Sequence, residues 1–218
     1  MKKFSLPAII YPAAFCTGTL LFFCSACTAK NAEPPPPLIR EGENYGSVDN
    51  GVFNSSICKW QLPDNGNGCK LITESEFDEK QITLLNGPAG TTETLIITPI
   101  APGMTADGGE SDKLLYSIAA KELAGLRAQN PDMNTGEVEK FESTGADGYY
   151  FGCRADRVEM GLAVFMRRNP DYLCSYSFSR LLPARRKGNW ENLQQMTVKG
   201  LDAIRFHDLS NTIFGMPR

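Results

Sequence analysis

One histidine in the chain could take part in acid–base catalysis. His207 is followed by Asp208, and this pair is half of the arrangement with which many hydrolases activate a serine. The chain contains no GxSxG nucleophile elbow and no HExxH zinc motif. We therefore expect a surface or capping role for His207. A periplasmic hydrolase is kept as a lesser alternative, and no catalytic residue is assigned.

Four cysteines in the body of the chain could form disulfides, bind a metal or carry out redox chemistry. They are Cys58, Cys69, Cys153 and Cys174. No two of them form a CxxC pair, which disfavours both a zinc site and a redox-active dithiol. We expect no metal and no cofactor. An even number of cysteines in an exported protein predicts two structural disulfides, with three possible pairings.

The spacing of the cysteines favours local pairing. Cys58 and Cys69 flank the turn-rich segment KWQLPDNGNG, which predicts a hairpin end across which they could meet. Cys153 with Cys174 then follows by elimination. A simple three-stranded meander over residues 148–180 conflicts with that second bridge, because the two cysteines would lie near opposite ends of its first and third strands. Either the meander or the local pairing must then give way, and a crossed pairing stays open.

A cluster of basic residues could bind an acidic group. The segment SRLLPARRKGN carries Arg180, Arg185, Arg186 and Lys187, which we call the basic loop. In a protein held at a membrane, such a loop could contact lipid headgroups or an acidic partner. The simpler interpretation is a solvated loop.

The first 26 residues predict a signal peptide that is removed. Two lysines precede a long uncharged run, and small residues follow it. The run over residues 4–26 is long enough to span a membrane. Pro7, Pro12 and Gly18 weaken such a helix, and the small residues at its end are typical of a cleavage site.

The end of this leader, CSAC, resembles the lipobox of bacterial lipoproteins. The two small residues before Cys27 fit that motif, whereas Cys24 stands where the family usually has leucine. The resemblance implies that Cys27 becomes a lipidated N-terminus in the cell envelope, facing the periplasm. Because Thr28 follows rather than aspartate, it also favours the outer membrane. The alternative is a conventional cut after Ala29, which would leave no lipid.

The rest of the chain is expected to be one domain on a tether. Residues 27–46 contain four consecutive prolines, which favour extended polyproline II at about 3.1 Å per residue. Residues 47–218 form the predicted domain, and a hydrophobic content of 42% is typical of a folded chain. Loss of the two leader lysines lowers the net charge from −3 to −5. This charge disfavours nucleic acid as the partner.

Apolar periodicity predicts the elements of that domain. Strands are expected over TETLIITPI, GYYFGC, VEMGLAVFM and YLCSYSFS, the last with one core face and one mostly polar face. The longest helix is predicted to begin at a Ser111 cap and to end at Asn130. A second helix is predicted near Asn189. Residues 197–208 either extend that helix or return as a strand, since Gly200 could break it.

This order of elements predicts an α+β fold, in which one long central helix and a C-terminal helix pack on an antiparallel sheet. The layout resembles the Mog1/PsbP-like fold, including the bacterial DcrB-type lipoproteins, over residues 53–208. The resemblance implies an accessory or assembly role without catalysis. We therefore expect a lipid-anchored envelope protein that binds another envelope protein. An immunity-type inhibitor of a delivered toxin fits the size and location equally well.

Overall fold

A computed structural model describes residues 46–76, 79–100, 108–143, 146–167, 172–182 and 189–207. These residues all belong to one compact unit, Ile39–Arg218. The leader, Cys27, most of the tether and Arg185, Arg186 and Lys187 lie outside the described residues, so the predictions made for them stay predictions.

The described residues form twelve strands and two α-helices. The strands are β1 (Gly46–Asp49), β2 (Val52–Ser55), β3 (Cys58–Gln61), β4 (Cys69–Glu76), β5 (Glu79–Asn86), β6 (Thr91–Pro99), β7 (Asn134–Thr135), β8 (Glu139–Glu142), β9 (Asp147–Ala155), β10 (Val158–Arg167), β11 (Tyr172–Leu181) and β12 (Ile204–Phe206). The helices are α1 (Gly108–Gln129) and α2 (Trp190–Asp202). The predicted α+β class is confirmed.

The strands divide into two antiparallel sheets. The large sheet has the order β4-β5-β6-β11-β10-β9-β7, and β8 also pairs with β9. The small sheet has the order β1-β2-β3-β12. The predicted meander is present as β9, β10 and β11, whose ladders place Gly161 opposite both Gly152 and Phe178.

Both faces of the large sheet are covered around β11. Cys174 and Tyr176 face the core between the two sheets, as the alternation predicts. The polar face of the same strand is not open to solvent: Ser175, Ser177 and Ser179 are all buried. One-sided burial was therefore the wrong expectation, because strands in the middle of a layered domain are covered on both faces.

The two helices lie on opposite faces of the large sheet. The α1 residue Asp112 accepts a hydrogen bond from Tyr149, whereas Trp190 of α2 lies against Gly152, whose face is that of Tyr150. Successive residues of a strand point to opposite faces, so the two contacts are on different sides. Helix α1 begins at Gly108, and Ser111 is therefore a buried residue of its first turn rather than the predicted cap.

Residues 197–208 contain both of the predicted alternatives. Helix α2 runs through Gly200 and ends at Asp202, and the chain then returns as β12 beside β3. A Cβ atom on Gly200 would overlap the hydroxyl of Tyr176. Glycine at this position therefore allows α2 to pack closely on β11, and it does not break the helix.

The main core lies between the two sheets. Trp60 of β3 meets Tyr176 of β11 with ring centroids 6.1 Å apart, and Phe206 of β12 meets Phe165 of β10 at 5.8 Å. The segment between β3 and β4 is not a hairpin, because these strands belong to different sheets. Positive φ angles at Asp64, Gly66 and Gly68 redirect the chain there from one sheet to the other.

Candidate functional site

A cavity of about 350 Å³ opens beside the edge of the large sheet, where α2 begins. We call it the α2 pocket. Its floor contains Tyr150, Gly152 and Trp190. Three glutamates from separate segments stand around it: Glu137 from the link between β7 and β8, Glu139 from β8, and Glu191 from α2.

The opening arises from a break in the ladder along β9. Thr135 of β7 pairs with Cys153, and Glu139 of β8 pairs with Tyr150. Between them the chain leaves the ladder at residues 136–138, held by the Gly136 N–H, which donates to the Gly152 carbonyl at 2.8 Å. Residues directly opposite on neighbouring strands share a face. The carboxylate of Glu139 is thereby placed on the same side as the Tyr150 ring.

Glycine residues on two neighbouring strands let α2 come close to the sheet. A Cβ atom on Gly152 would lie 2.9 Å from the Trp190 ring and 3.1 Å from the hydroxyl oxygen of Tyr150. A Cβ atom on Gly161, directly opposite, would overlap Thr197 of α2. The helix thus sits in a groove made by missing side chains, and the indole rests on the backbone of β9.

The Tyr150 hydroxyl is a buried polar group that has no hydrogen-bond partner within the described part of the chain. The residue is 4% exposed. Thr197 is its polar neighbour, and the Thr197 hydroxyl donates to the Leu193 carbonyl at 2.8 Å. Burial raises the pKa of Tyr150, and Thr197 opposes that rise only in part. Unsatisfied buried polar atoms are rare in native proteins and often mark a site where a ligand or water binds.

A charged network supports the pocket from one side. The Arg154 guanidinium lies 4.6 Å from the centroid of the Trp190 ring and makes an ion pair with Glu159 at 3.0 Å. The Glu159 side chain is fully buried and also pairs with Arg180 at 2.6 Å. The network therefore ties β9, β10 and β11 together and fixes the strand residue on which Trp190 stacks.

The electrostatic character of the pocket is acidic. Glu137, Glu139 and Glu191 are all exposed, and none of them takes part in an ion pair among the residues that the structure describes. The start of α2 contributes partial positive charge, as every helix N-terminus does. The Asn189 side chain caps this helix end by accepting a hydrogen bond from the Glu191 N–H at 2.9 Å. The negatively charged Glu191 carboxylate lies in the same first turn.

The predicted basic loop is only partly described, and Arg180 is its one described member. Its guanidinium is held by Glu159 and also contacts the Met196 sulfur at 2.8 Å. Arg180 is therefore a structural cation of the charged network and does not present a free charge at the surface. The other three members of the loop lie outside the described residues.

His207 takes part in the packing of the small sheet. Its Nε2 atom lies 3.1 Å from the Ser55 carbonyl oxygen, and its backbone N–H donates to the Ile57 carbonyl at 2.8 Å. The Ser55 hydroxyl accepts hydrogen bonds from the N–H groups of Ile57 and Cys58, so it is used in the turn. These contacts hold the end of β12 against the β2–β3 connection. Asp208 lies outside the described residues.

The four cysteines of the domain are free thiols in the structure. Burial raises the pKa of Cys58 and Cys174, and it raises that of Cys153 to about 12. Burial also raises the pKa of Cys69, and the nearby Asp64 carboxylate raises it further. Thiols with raised pKa values are weak nucleophiles, so these residues are not suited to thiol catalysis.

The strand register excludes one of the predicted bridges. Cys153 lies opposite Met160, which lies opposite Ser179 on β11. Cys174 is five residues from Ser179 on the same strand and therefore points to the other face of the sheet. The offset along the strand is also about 17 Å, far more than a disulfide can span. The local pairing of Cys153 with Cys174 was therefore wrong, whereas the presence of disulfides as such stays a prediction.

The α2 pocket was not identified from the sequence. In the sequence, Trp190 indicates only the start of a helix, and Gly152 lies within a predicted strand. Two glycines inside neighbouring strands were the available signal, because glycine within a strand often marks a close approach of another group. Their meaning depends on the register that sets Gly152 opposite Gly161, and the sequence alone does not supply that register.

Comparisons with known proteins give a likeness at the level of structure. No family model matches the sequence, and no curated protein matches it. The chain is similar to the cyanobacterial PsbP protein (CyanoP) from Synechocystis sp. PCC 6803, whose structure was determined in solution. The two are 13% identical, the match covers 75% of this chain and 91% of that chain, and the TM-score is 0.47.

Two further features are absent from the described residues. None of the helices found there has the length and apolar character needed to cross a membrane. In the same residues, no group of three or more histidine, cysteine, aspartate or glutamate side chains is placed to hold a metal ion.

Proposed function

We propose that the protein is a lipid-anchored binding factor of the bacterial cell envelope, and that its domain binds a partner protein through the α2 pocket. The observation that carries the binding role is the pocket itself, with an unpartnered Tyr150 hydroxyl and the Trp190 ring beneath three carboxylates. The anchoring role is supported by the lipobox-like CSAC at Cys27 and by the proline-rich tether that follows.

The chemistry of the pocket favours binding over catalysis. Glu137, Glu139 and Glu191 are all exposed, so none has the desolvated surroundings with which enzymes adapt a carboxyl group to act as a general acid. A binding site needs only a shaped floor, complementary charge and a polar group that fixes the orientation of the ligand. The described lining supplies these three features.

The anchor is tested by the intact mass of the mature protein extracted from membranes. We expect a chain that begins at Cys27 and carries the added mass of its acyl chains. Replacing Cys27→Ala should release the protein from the membrane fraction, because acyl chains contribute about 0.8 kcal/mol for each buried CH₂ group. A mature chain that begins at Lys30 without lipid would overturn the anchor.

The partner is tested by site-specific photo-crosslinking in cells that produce the full chain. A photoreactive residue at Gln194, which lines the pocket, should give a defined adduct. The control is the same residue at Tyr116, which is 49% exposed on α1 and therefore on the opposite face of the sheet. Trp190→Ala should abolish the adduct at position 194. Equal adducts at both positions, or none at 194, would contradict a binding role for the pocket.

A further inference from the structure

We propose that the ligand of the α2 pocket is a basic side chain, lysine or arginine, presented by the partner protein. This inference deepens the proposed function and rests on it. It names the chemical group that the pocket receives.

The first argument is charge. Glu137, Glu139 and Glu191 come from three different segments and converge on one cavity, and none of the lining residues is basic. The nearest cation is Arg154, which lies outside the lining and shares the single carboxylate of the fully buried Glu159 with Arg180. None of the three carboxylates forms an ion pair among the described residues, and a bound cation would supply that partner.

The second argument is the aromatic floor. The Arg154 guanidinium lies 4.6 Å from the centre of the Trp190 ring, so this indole already attracts one cation within the protein. Tryptophan is the aromatic side chain that binds cations best. The Tyr150 hydroxyl oxygen is buried and unpartnered, and it can accept a hydrogen bond from an ammonium or guanidinium N–H.

The third argument is size and the exclusion of the opposite charge. A cavity of about 350 Å³ lies at the small end of the range for ligand sites, which suits one long side chain better than a large cofactor. An anion at the α2 N-terminus would meet the Glu191 carboxylate in the first turn of the helix. It would also have to compete with Asn189, whose side chain already accepts the Glu191 N–H.

Indole N–H signals in the NMR spectrum offer a direct test, because the chain contains two tryptophans. Trp60 is fully buried in the core, whereas Trp190 lies at the pocket. The full chain, labelled with ¹⁵N-tryptophan and kept in mild detergent, should give two signals, and Trp190→Phe identifies its own by removing it. The probes are capped lysine amide and capped arginine amide. Their uncharged counterparts are capped norleucine amide and capped citrulline amide.

We expect the charged amides to shift the Trp190 signal in a saturable way and to leave Trp60 unmoved. The triple variant E137Q/E139Q/E191Q should weaken this binding at least about tenfold, because it removes the three charges that attract the cation. The matched control is E74Q/E110Q/E142Q, which removes three exposed carboxylates on β4, α1 and β8 and should bind as the parent does. Equal shifts with the uncharged amides, or unchanged binding by the pocket variant, would overturn the proposal.

A further arm separates a protein side chain from a lipid headgroup with similar chemistry. Vesicles of phosphatidylcholine and phosphatidylethanolamine present ammonium groups without a peptide. A Trp190 shift with these vesicles but not with the amides would overturn the assignment to a partner protein. If the chain carries lipid but binds none of the cations, this inference is overturned and the proposed anchor is not. If the chain carries no lipid but binds the charged amides, the anchor is overturned and this inference is not.

Discussion

Tyr176 donates its hydroxyl hydrogen to the Glu93 carboxylate across 2.5 Å in the centre of the protein. Tyr176 is fully buried and Glu93 is 7% exposed. Burial raises the pKa of Glu93, and the hydrogen bond from Tyr176 offsets that rise in part. Gly200 of α2 lies against both oxygen atoms, because a Cβ atom there would overlap the Tyr176 hydroxyl and come within 3.0 Å of Glu93. The pair therefore links β6, β11 and α2 at one point.

Replacing Glu93→Gln should make the free energy of unfolding less dependent on pH. The folded protein holds the Glu93 proton more tightly than the unfolded chain does, since its pKa is raised above the ordinary value of 4.5. The resulting stability is fully present below that ordinary pKa and is lost as the pH rises through the folded pKa. Glutamine still accepts from Tyr176 but does not ionise, so the variant should gain on the parent as the pH rises from 4 towards 8.

Urea unfolding at several pH values measures this difference directly. Glu74→Gln is the matched control, because Glu74 is an exposed residue of β4 and the same change there removes no buried carboxyl group. Parent and control should show the same pH dependence. An identical pH dependence in the Glu93→Gln variant would contradict the prediction.

Replacing Gly200→Ala should destabilise the protein, although it places a better helix former inside α2. The gain in helix propensity is about 0.5–1 kcal/mol. The new methyl group would overlap the Tyr176 hydroxyl, and overpacking of this kind costs about 1–3 kcal/mol. Thermal unfolding should therefore show a lower midpoint. Lys199→Ala, at an exposed position of the same helix, should stay within about 0.5 kcal/mol of the parent. A stabilised Gly200→Ala variant would contradict the close approach of α2 to β11.

Local pattern was sufficient for the long elements. Strict alternation predicted β10 and β11, and the helical apolar stripe predicted α1, because each of these faces a continuous layer of core. The small sheet was not predicted: β1, β2 and β3 have four residues each and β12 has three. Strands this short carry too few residues for periodicity to stand out, and their pairing partners lie far apart in the chain.

The site depended on register, which the sequence does not reveal. Arg180 was assigned to a surface loop because basic residues follow it closely in the chain. Its partner Glu159 is 21 positions away and becomes its neighbour only through the β10–β11 ladder. The same ladders bring Glu139 beside Tyr150 and set Gly152 opposite Gly161. The sequence thus shows which types of side chain are present, but it does not show which of them contact one another in the fold.

Replacing Glu159→Ala should lower the free energy of unfolding by about 3–5 kcal/mol. The carboxylate is fully buried and pairs with Arg154 and Arg180, whose side chains are 19% and 18% exposed. Removing it leaves two guanidinium groups that are largely desolvated and have lost their counter-charge. The change should also displace Trp190, because Arg154 stacks on that ring. Denaturant unfolding measures the loss of stability, and the emission of Trp190 reports the displacement.

The Lys140–Asp112 ion pair provides the comparison for Glu159. Its side chains are 57% and 44% exposed, so solvent screens the charges. Lys140→Ala should therefore lower the free energy of unfolding far less than Glu159→Ala does. Similar losses in the two variants would show that burial does not strengthen the Glu159 network.

If the envelope oxidises this domain, the first bridge should join Cys58 to Cys174. Both thiols are fully buried in the core between the sheets, and Cys58 contributes to the raised pKa of Cys174. Residues next to the two cysteines in the sheets are already in contact. Trp60 and Tyr176, each two residues further along, are in ring contact, and so are Phe206 and Phe165, the cross-strand partners of the two cysteines. Oxidation removes one hydrogen from each sulfur, and an envelope thiol oxidase accepts the two electrons.

Peptide mapping of the protein under non-reducing conditions decides the pairing. We expect a linked peptide pair that contains Cys58 and Cys174, and alkylation of Cys69 and Cys153 after denaturation without reductant. The double variant Cys69→Ser and Cys153→Ser should keep the bridge, whereas Cys174→Ser should abolish it. A link between Cys58 and Cys69 would contradict this pairing. A disulfide spans about 4.4–6.8 Å between Cα atoms, which is about the spacing of paired strands. The turn-rich segment after β3 would therefore have to bring the starts of β3 and β4 that close, although these strands belong to different sheets.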